Sequence, residues 1–380
     1  MNSIATALIV FIIMVSLLIT FHELGHYLIA RMFGMRAKVF SVGFGPELIG
    51  RTDQHGTRWK ISAIPLGGYV KFPGQMHIPS DDQTAAPAKE RPERWYRPKA
   101  EPRLPQGQNF GDLPRWQRAL IVAAGPIANL IIAAIIIATV NATYGVATYT
   151  GRITEVEHAS PAERAGISSG DRVVRWNGQS FDGSSRLIMH ILANPDEQLA
   201  MTVDRDHQRH DVALGIERVE RVIGNSNRSD VGRIGVTFEN GWRKATNPVD
   251  ALTSAIDQTK IYTTLQITTM RQLLTGKRSV TEMSGPVRMA KLSGEMYRVS
   301  WPALFMFVAL VSIALAITNL MPIPTLDGGY LAVYAVETVK RSPLSTRALK
   351  RTMVTGYSMI ILLSIFAFSN DIIQITAPMR

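Results

Sequence analysis

Thr20-Phe21-His22-Glu23-Leu24-Gly25-His26-Tyr27-Leu28 is the stretch on which the reading of this chain turns. It holds two histidines four residues apart, with a carboxylate beside the first. On a helix, positions i and i+4 share a face, so two imidazoles can grip one metal ion. Zinc is the usual guest of such a pair, and Glu23 stands where it can take a proton from water on the metal. The chemistry so described is hydrolysis of a carbonyl compound, most often a peptide bond. The location is as informative as the motif. It follows directly on 4–21, a run with no charged residue and enough apolar side chains to cross a bilayer. Ionisable residues at the end of such a run mark a functional site by default. The competing reading is a polar helix end that caps a membrane anchor.

Outward from that motif, the chain shows three more runs of membrane-helix length, at 119–140, 301–324 and 352–370. Hydrophobic residues make up 46% of the 380, a level that suits a few membrane helices plus a water-soluble part. The first run is no signal peptide: no basic residue precedes it, no small-residue cleavage site follows, and it leads straight into the histidines. Net charge is +11, and its distribution gives the orientation. Basic residues crowd the segment between the first two runs, from Arg31 to Arg118, and the loop between the last two, from Lys340 to Arg351. By the positive-inside rule both basic segments are cytoplasmic and both termini lie outside. The long 141–300 segment is then outside too, its length exempting it from the rule. Topology and anionic lipid account for the charge, so nucleic acid is not an expected partner. There are no cysteines, hence no disulfides and no thiolate zinc site.

Residues 37–75 alternate and turn, with Gly43, Gly45, Pro46, Pro65, Gly67 and Gly68 as breaks, and read as membrane-associated β-hairpins. Packing alone is the other use of such a sheet. The segment 76–112 reads as a cytoplasmic insertion, extended and poorly ordered, its prolines set among charges over 76–108. Between runs two and three comes a soluble α+β module. Gly151 to Val156 is a strand, Ser160 to Ile167 a capped short helix, and Gly170 to Gly178 a turn, a strand and an Asn-Gly hairpin turn. A helix near 184–193 and a strand near 198–204 complete it, with an end near 217. Past it, 249–274 shows the apolar spacing of a helix lying on the membrane surface.

Two histidines leave zinc in need of a third protein ligand. His55, His77, His158, His190, His207 and His210 fall in expected loops or in the outer module, and no third histidine extends the motif. Asp327, in Asn319-Leu320-Met321-Pro322-Ile323-Pro324-Thr325-Leu326-Asp327-Gly328-Gly329-Tyr330, does qualify. Runs one and three both head inward, so their ends reach the same cytoplasmic depth. Pro322 and Pro324 break the helix, and Gly328-Gly329 lets the backbone turn close to a metal. An unpaired aspartate there is costly, and a zinc ion offsets the cost. The alternative is an ordinary cap at the lipid interface.

His22-Glu23-Leu24-Gly25-His26, Ala124-Gly125-Pro126-Ile127-Ala128-Asn129 and Asn319 through Gly329 together resemble the three signature motifs of the site-2 protease family. The order of segments resembles its bacterial RseP-type branch, and 147–217 is similar to a bacterial PDZ domain. Tyr330 stands where a histidine is common, one PDZ module is evident, and the Pro-rich insertion is long. The resemblance implies a multi-pass α-helical membrane protein with four transmembrane helices, a membrane-associated β-hairpin region and one exported α+β PDZ domain. The segments are 1–36 with the first motif, 37–75, 76–112, a second helix at 113–141, the PDZ domain at 147–217, an exported linker with amphipathic helices at 218–299, a third helix with Asp327 at 300–330 and a fourth at 350–372.

The same resemblance implies an intramembrane zinc protease of a bacterial inner membrane, with its active site toward the cytoplasm. His22, His26 and Asp327 are then the Zn2+ ligands and Glu23 the general base. Its substrates are single-pass membrane proteins, such as an anti-sigma factor or a signal-peptide remnant, cut in regulated intramembrane proteolysis. Asn129, Asn319, Pro322 and Pro324 are candidate substrate contacts, since a helix must be unwound before it is cut and its freed backbone groups need partners. Helix–helix hydrogen bonding is the other use of the two asparagines. The strand 58–64 or its hairpin partner is a candidate acceptor of the unwound segment. A catalytically silent scaffold that binds exported tails through the PDZ domain is the rival; it needs none of the four site residues. A metal transporter would need more polar groups at mid-membrane.

Overall fold

The computed structural model describes residues 3–74, 109–223 and 227–376, so the insertion at 76–108 lies outside the described residues. The chain divides into two compact units, Ile12–Asn129 with Thr318–Leu363, and Met1–Phe11 with Leu130–Ile317 and Ser364–Arg380. Among the described residues, four helices are long and apolar enough to cross a membrane: Ile4–Met32, Arg115–Tyr144, Trp301–Asn319 and Thr346–Ile373.

The first unit holds residues 12–32 of α1 (Ser3–Met32), β1 (Val39–Thr52), β2 (Arg58–Lys71) and residues 115–129 of α2 (Arg115–Tyr144). Its C-terminal part begins at the end of α7 (Trp301–Asn319) and continues through α8 (Asp327–Lys340) into residues 346–363 of α9 (Thr346–Thr376). Tyr27, Ala30, Phe40, Phe72, Ile121, Val122 and Tyr334 form its core. Aromatic rings tie α1 to the sheet, with Phe40 stacked on Trp59 at 4.5 Å and Tyr27 edge-on to Trp59 at 5.1 Å.

Alternation predicts hairpins over 37–75, and the structure adds a parallel stretch to them. Both strands are bent, at Gly43 and Gly45 in β1 and at Gly67 in β2, where positive φ values of 88°, 87° and 109° suit only glycine. Phe40 thereby faces Trp59 in one sense and Val70 in the other, while Arg51 also faces Trp59. The lateral order is 49–52, 58–61, 39–42, 68–71. The 58–61 stretch is flanked on both sides, so it cannot accept a further strand; among the described residues 49–52 and 68–71 are the edges.

After α7 the chain turns through 320–326 into α8. A Cβ on Gly328 would lie 2.2 Å from the Leu320 carbonyl oxygen, and one on Gly329 2.3 Å from that of Ile323. Only glycine permits this turn, which sets Asp327 at the first position of α8. Thr325 sits at φ 83°, a left-handed conformation that β-branched residues avoid.

The second unit contains a six-stranded sheet. Its strands are β3 (Val146–Val156), β4 (Arg172–Trp176), β5 (Gln179–Ser180), β6 (Gln198–Arg205), β7 (Gln208–Gly215) and β10 (Val236–Arg243). The order is β10-β3-β4-β6-β7, with β5 beside β4. α3 (Pro161–Arg164) and α4 (Arg186–Ala193) pack on a core of Ile153, Trp176, Leu187, Ile191, Leu199 and Val203. Ser160 caps α3 by accepting from the Glu163 N–H, and Arg205 grips the buried Asp171 with two bonds of 2.7 and 2.8 Å.

The sequence reading gives 218–299 to a linker and helices; the structure instead has β8 (Glu217–Ile223) and β9 (Asn227–Arg233) as a hairpin, and β10 closing the module's own sheet. β10 pairs with β3, Val236 beside Val156 and Arg243 beside Val146, across a separation in sequence that leaves no local turn signal. The helical part of this unit joins α2, α5 (Pro248–Leu274) and α7 through Ala133, Ile137, Ala255, Ala309 and Ile313. α6 (Pro286–Val299) begins at Gly285, and its first amides are met by Asp371 of α9.

Candidate metal centre

His22 and His26 lie one helical turn apart on α1, each only 8% exposed. Their rings meet edge-on, and the two Nε2 atoms stand 3.2 Å apart. Asp327 Oδ2 is 3.1 Å from the first and 3.6 Å from the second. Among the described residues this is the group of histidines and carboxylates whose donor atoms converge. Donors about 2.0–2.2 Å from a tetrahedral zinc stand roughly 3.3 Å from one another, so the triangle is the size one ion requires. Asp327 Oδ2 is buried and accepts no hydrogen bond, which is how a carboxylate oxygen reserved for a cation looks.

α2 supports both rings. His26 Nδ1 lies 2.8 Å from the Ile121 carbonyl oxygen. A carbonyl can only accept, so His26 donates through Nδ1, the tautomer that would leave Nε2 as the nitrogen for a metal. One turn along, a Cβ on Gly125 would fall 2.3 Å from His26 Nε2 and 2.8 Å from His22 Nε2. Another turn along, the Asn129 carboxamide is 3.3 Å from His22 Nδ1. The helices approach this closely because Gly25 has no side chain; a Cβ there would be 2.4 Å from the Ala124 carbonyl oxygen.

Glu23 points to the sheet, its Oε2 accepting from the Val70 N–H at 3.0 Å. That amide belongs to the 68–71 edge of β2. Of the candidate substrate contacts, Asn319 ends α7, and Pro322 and Pro324 lie in the following turn, with Pro322 exposed and the Pro324 carbonyl packed against Gly356. Asn129 stands apart from that turn in the chain and touches His22. Sequence reasoning did not find Ile121 or Gly125 as parts of the site. Their signal is the four-residue spacing of 121, 125 and 129, which puts all three on one face of α2.

The model of peptidase family M50 matches residues 10–363. A protein of Agrobacterium fabrum named as a zinc metalloprotease is 35% identical over 95% of this chain and 94% of its own. One so named in Rhizobium meliloti is 34% identical over 95% of each chain. The metalloprotease MmpA of Caulobacter vibrioides is 29% identical, over 96% of this chain and 95% of its own. The chain therefore belongs to peptidase family M50, the site-2 proteases. It is a zinc metalloprotease of membranes.

Proposed function

We propose that His22, His26 and Asp327 hold the zinc ion, that Glu23 is the general base, and that the enzyme cuts single-pass membrane proteins within or near the bilayer. The convergence of Nε2, Nε2 and Oδ2 within reach of one ion, with Glu23 next to His22 in the chain, carries this reading. Bound zinc supplies Lewis acidity that polarises the scissile carbonyl and makes water a better acid. Glu23 would accept a proton from the attacking water as the water oxygen bonds to the carbonyl carbon. It returns the proton to the amide nitrogen as the C–N bond breaks, leaving a carboxylic acid and an amine.

A helical peptide bond is shielded by its own hydrogen bonds, so the substrate is unwound first. The 68–71 edge, whose Val70 amide already faces Glu23, would align it by strand addition. Asn319 with Pro322 and Pro324 would line the opposite approach from the 319–326 turn. By the positive-inside rule the basic segments would be cytoplasmic, with the metal centre toward that side and both termini outside. We further propose that the α+β module is a PDZ domain which filters substrates, cut once already, by size or by a new carboxyl terminus. Its groove of about 480 Å3, lined by Ile188, Ile191 and Leu192 of α4 and by Val236 and Phe238 of β10, would take an extended tail.

Cleavage of a tagged single-pass substrate in proteoliposomes tests the assignment. Glu23→Gln is expected to lose at least about 100-fold in rate while retaining its zinc. Native-level cutting by that variant would overturn the role of Glu23.

A further inference from the structure

A histidine binds a metal through the ring nitrogen that lacks a proton, and the other nitrogen must then hand its proton to an acceptor. For His26 that acceptor is the Ile121 carbonyl oxygen. For His22 the group in place at Nδ1 is the Asn129 carboxamide, its Nδ2 position 3.3 Å away, on a residue 1% exposed. Bulk water does not reach such a position to replace it. The carboxamide oxygen and nitrogen exchange places by a half-turn about the last side-chain bond, and only the oxygen can receive Nδ1–H.

We infer that Asn129 is a positioning residue of the metal centre, accepting the Nδ1 proton of His22 and so turning Nε2 to the zinc. The inference rests on His22, His26 and Asp327 being the ligands. It differs from a role in substrate contact, because the carboxamide meets the ring on the side away from the Nε2 triangle. It also explains the spacing on α2. Ile121 serves His26 through its backbone, Gly125 clears room at both Nε2 atoms, and Asn129 serves His22 through its side chain. One helix, read every fourth residue, thereby sets both imidazoles.

The experiment measures zinc affinity of the full-length protein in detergent by competition with a chelator, together with kcat and KM on a single-pass substrate. The variants are Asn129→Leu, Asn129→Asp and His22→Ala. Asn129→Leu removes the acceptor at similar volume and is expected to weaken zinc about 10- to 100-fold. Asn129→Asp keeps an acceptor and is expected to restore most of that affinity. Wild-type zinc affinity in Asn129→Leu with a raised KM would overturn the inference in favour of substrate contact. If Asn129→Leu does not fold, Asn129→Asp decides alone, since a loss of zinc there as large as that of His22→Ala would overturn the acceptor role. Full zinc affinity in His22→Ala would instead sink the ligand assignment beneath it, an outcome distinct from the others.

Discussion

Two aspartates sit at the ends of apolar helices in this chain, and their surroundings are opposite. Asp371, near the end of α9, is fully buried and receives three backbone N–H groups, from Gly285 at 2.8 Å, Val287 at 2.9 Å and Arg288 at 3.0 Å. It caps α6 in place of a residue that Gly285 cannot supply, having no side chain. Asp327, at the start of α8, has a buried Oδ2 that receives no such group and faces two imidazole Nε2 atoms instead. One carboxylate is satisfied by the fold, and the other is the one proposed to hold the zinc. Burial alone does not distinguish a structural acid from a ligand; the count of donors aimed at it does.

The largest effect that could break the contrast is at Asp327. Asp327→Asn is expected to lose bound zinc and to lower cleavage about 1,000-fold or more, as removal of a metal ligand removes the group that polarises the carbonyl. The metal-free variant should melt no lower than the metal-free native protein, because the lost carboxylate oxygen accepted nothing. Zinc content by atomic emission and a melting curve in detergent read both halves. A variant that keeps its zinc, or one that melts well below the native protein, would erase the difference between the two acids.

Next in size is Asp371→Ala, with the opposite pattern. It strands three amides at the start of α6 and is expected to cost about 2–4 kcal/mol. Zinc affinity should be unchanged. Loss of zinc in this variant at temperatures where it remains folded would mean that the cap and the metal centre are not the separate features described.

Much of the candidate metal centre is legible in the chain because its proposed parts are side chains in a local period. His22 and His26 share a face by spacing, and Asp327 follows from two apolar runs ending at one depth. The α2 contribution is harder to read. Ile121 acts through a carbonyl that every residue has, and Gly125 through the absence of a side chain, so neither leaves a chemical mark in the sequence. Asn129 does leave one, but a polar residue in an apolar run does not say whether it faces a ligand, a substrate or another helix. The soluble module shows the same limit in the fold. Its strands up to 217 are bounded by Ser-Pro, Gly-Asp and Asn-Gly signals, whereas β8 to β10 alternate charge with valine and pair with a strand read long before. The parallel pairing of 39–42 with 58–61 is likewise set by bends at single glycines, which composition marks only as turns.

A third acid gives the comparison its finest gauge. Asp250, in the first turn of α5, takes bonds from the Arg243 guanidinium at 3.1 Å and from the Thr246 N–H at 2.9 Å, and lies partly open to water. The Arg243 hydrogen bond first, and then the Thr246 amide, hold its carboxyl at about 2, below the usual 3.8. A carboxyl depressed by folding contributes stability that is complete above its unfolded value and is lost as pH falls through its folded one. The difference in melting temperature between the native protein and Asp250→Asn should therefore be constant above about pH 5, shrink below pH 4, and vanish near pH 2. It should be small, because water screens the pair. If removing Asp250 leaves the acid limb of the melting profile unmoved, the donors aimed at its carboxylate do not carry the stability assigned to them, and a count of donors is no gauge of a structural acid in this chain.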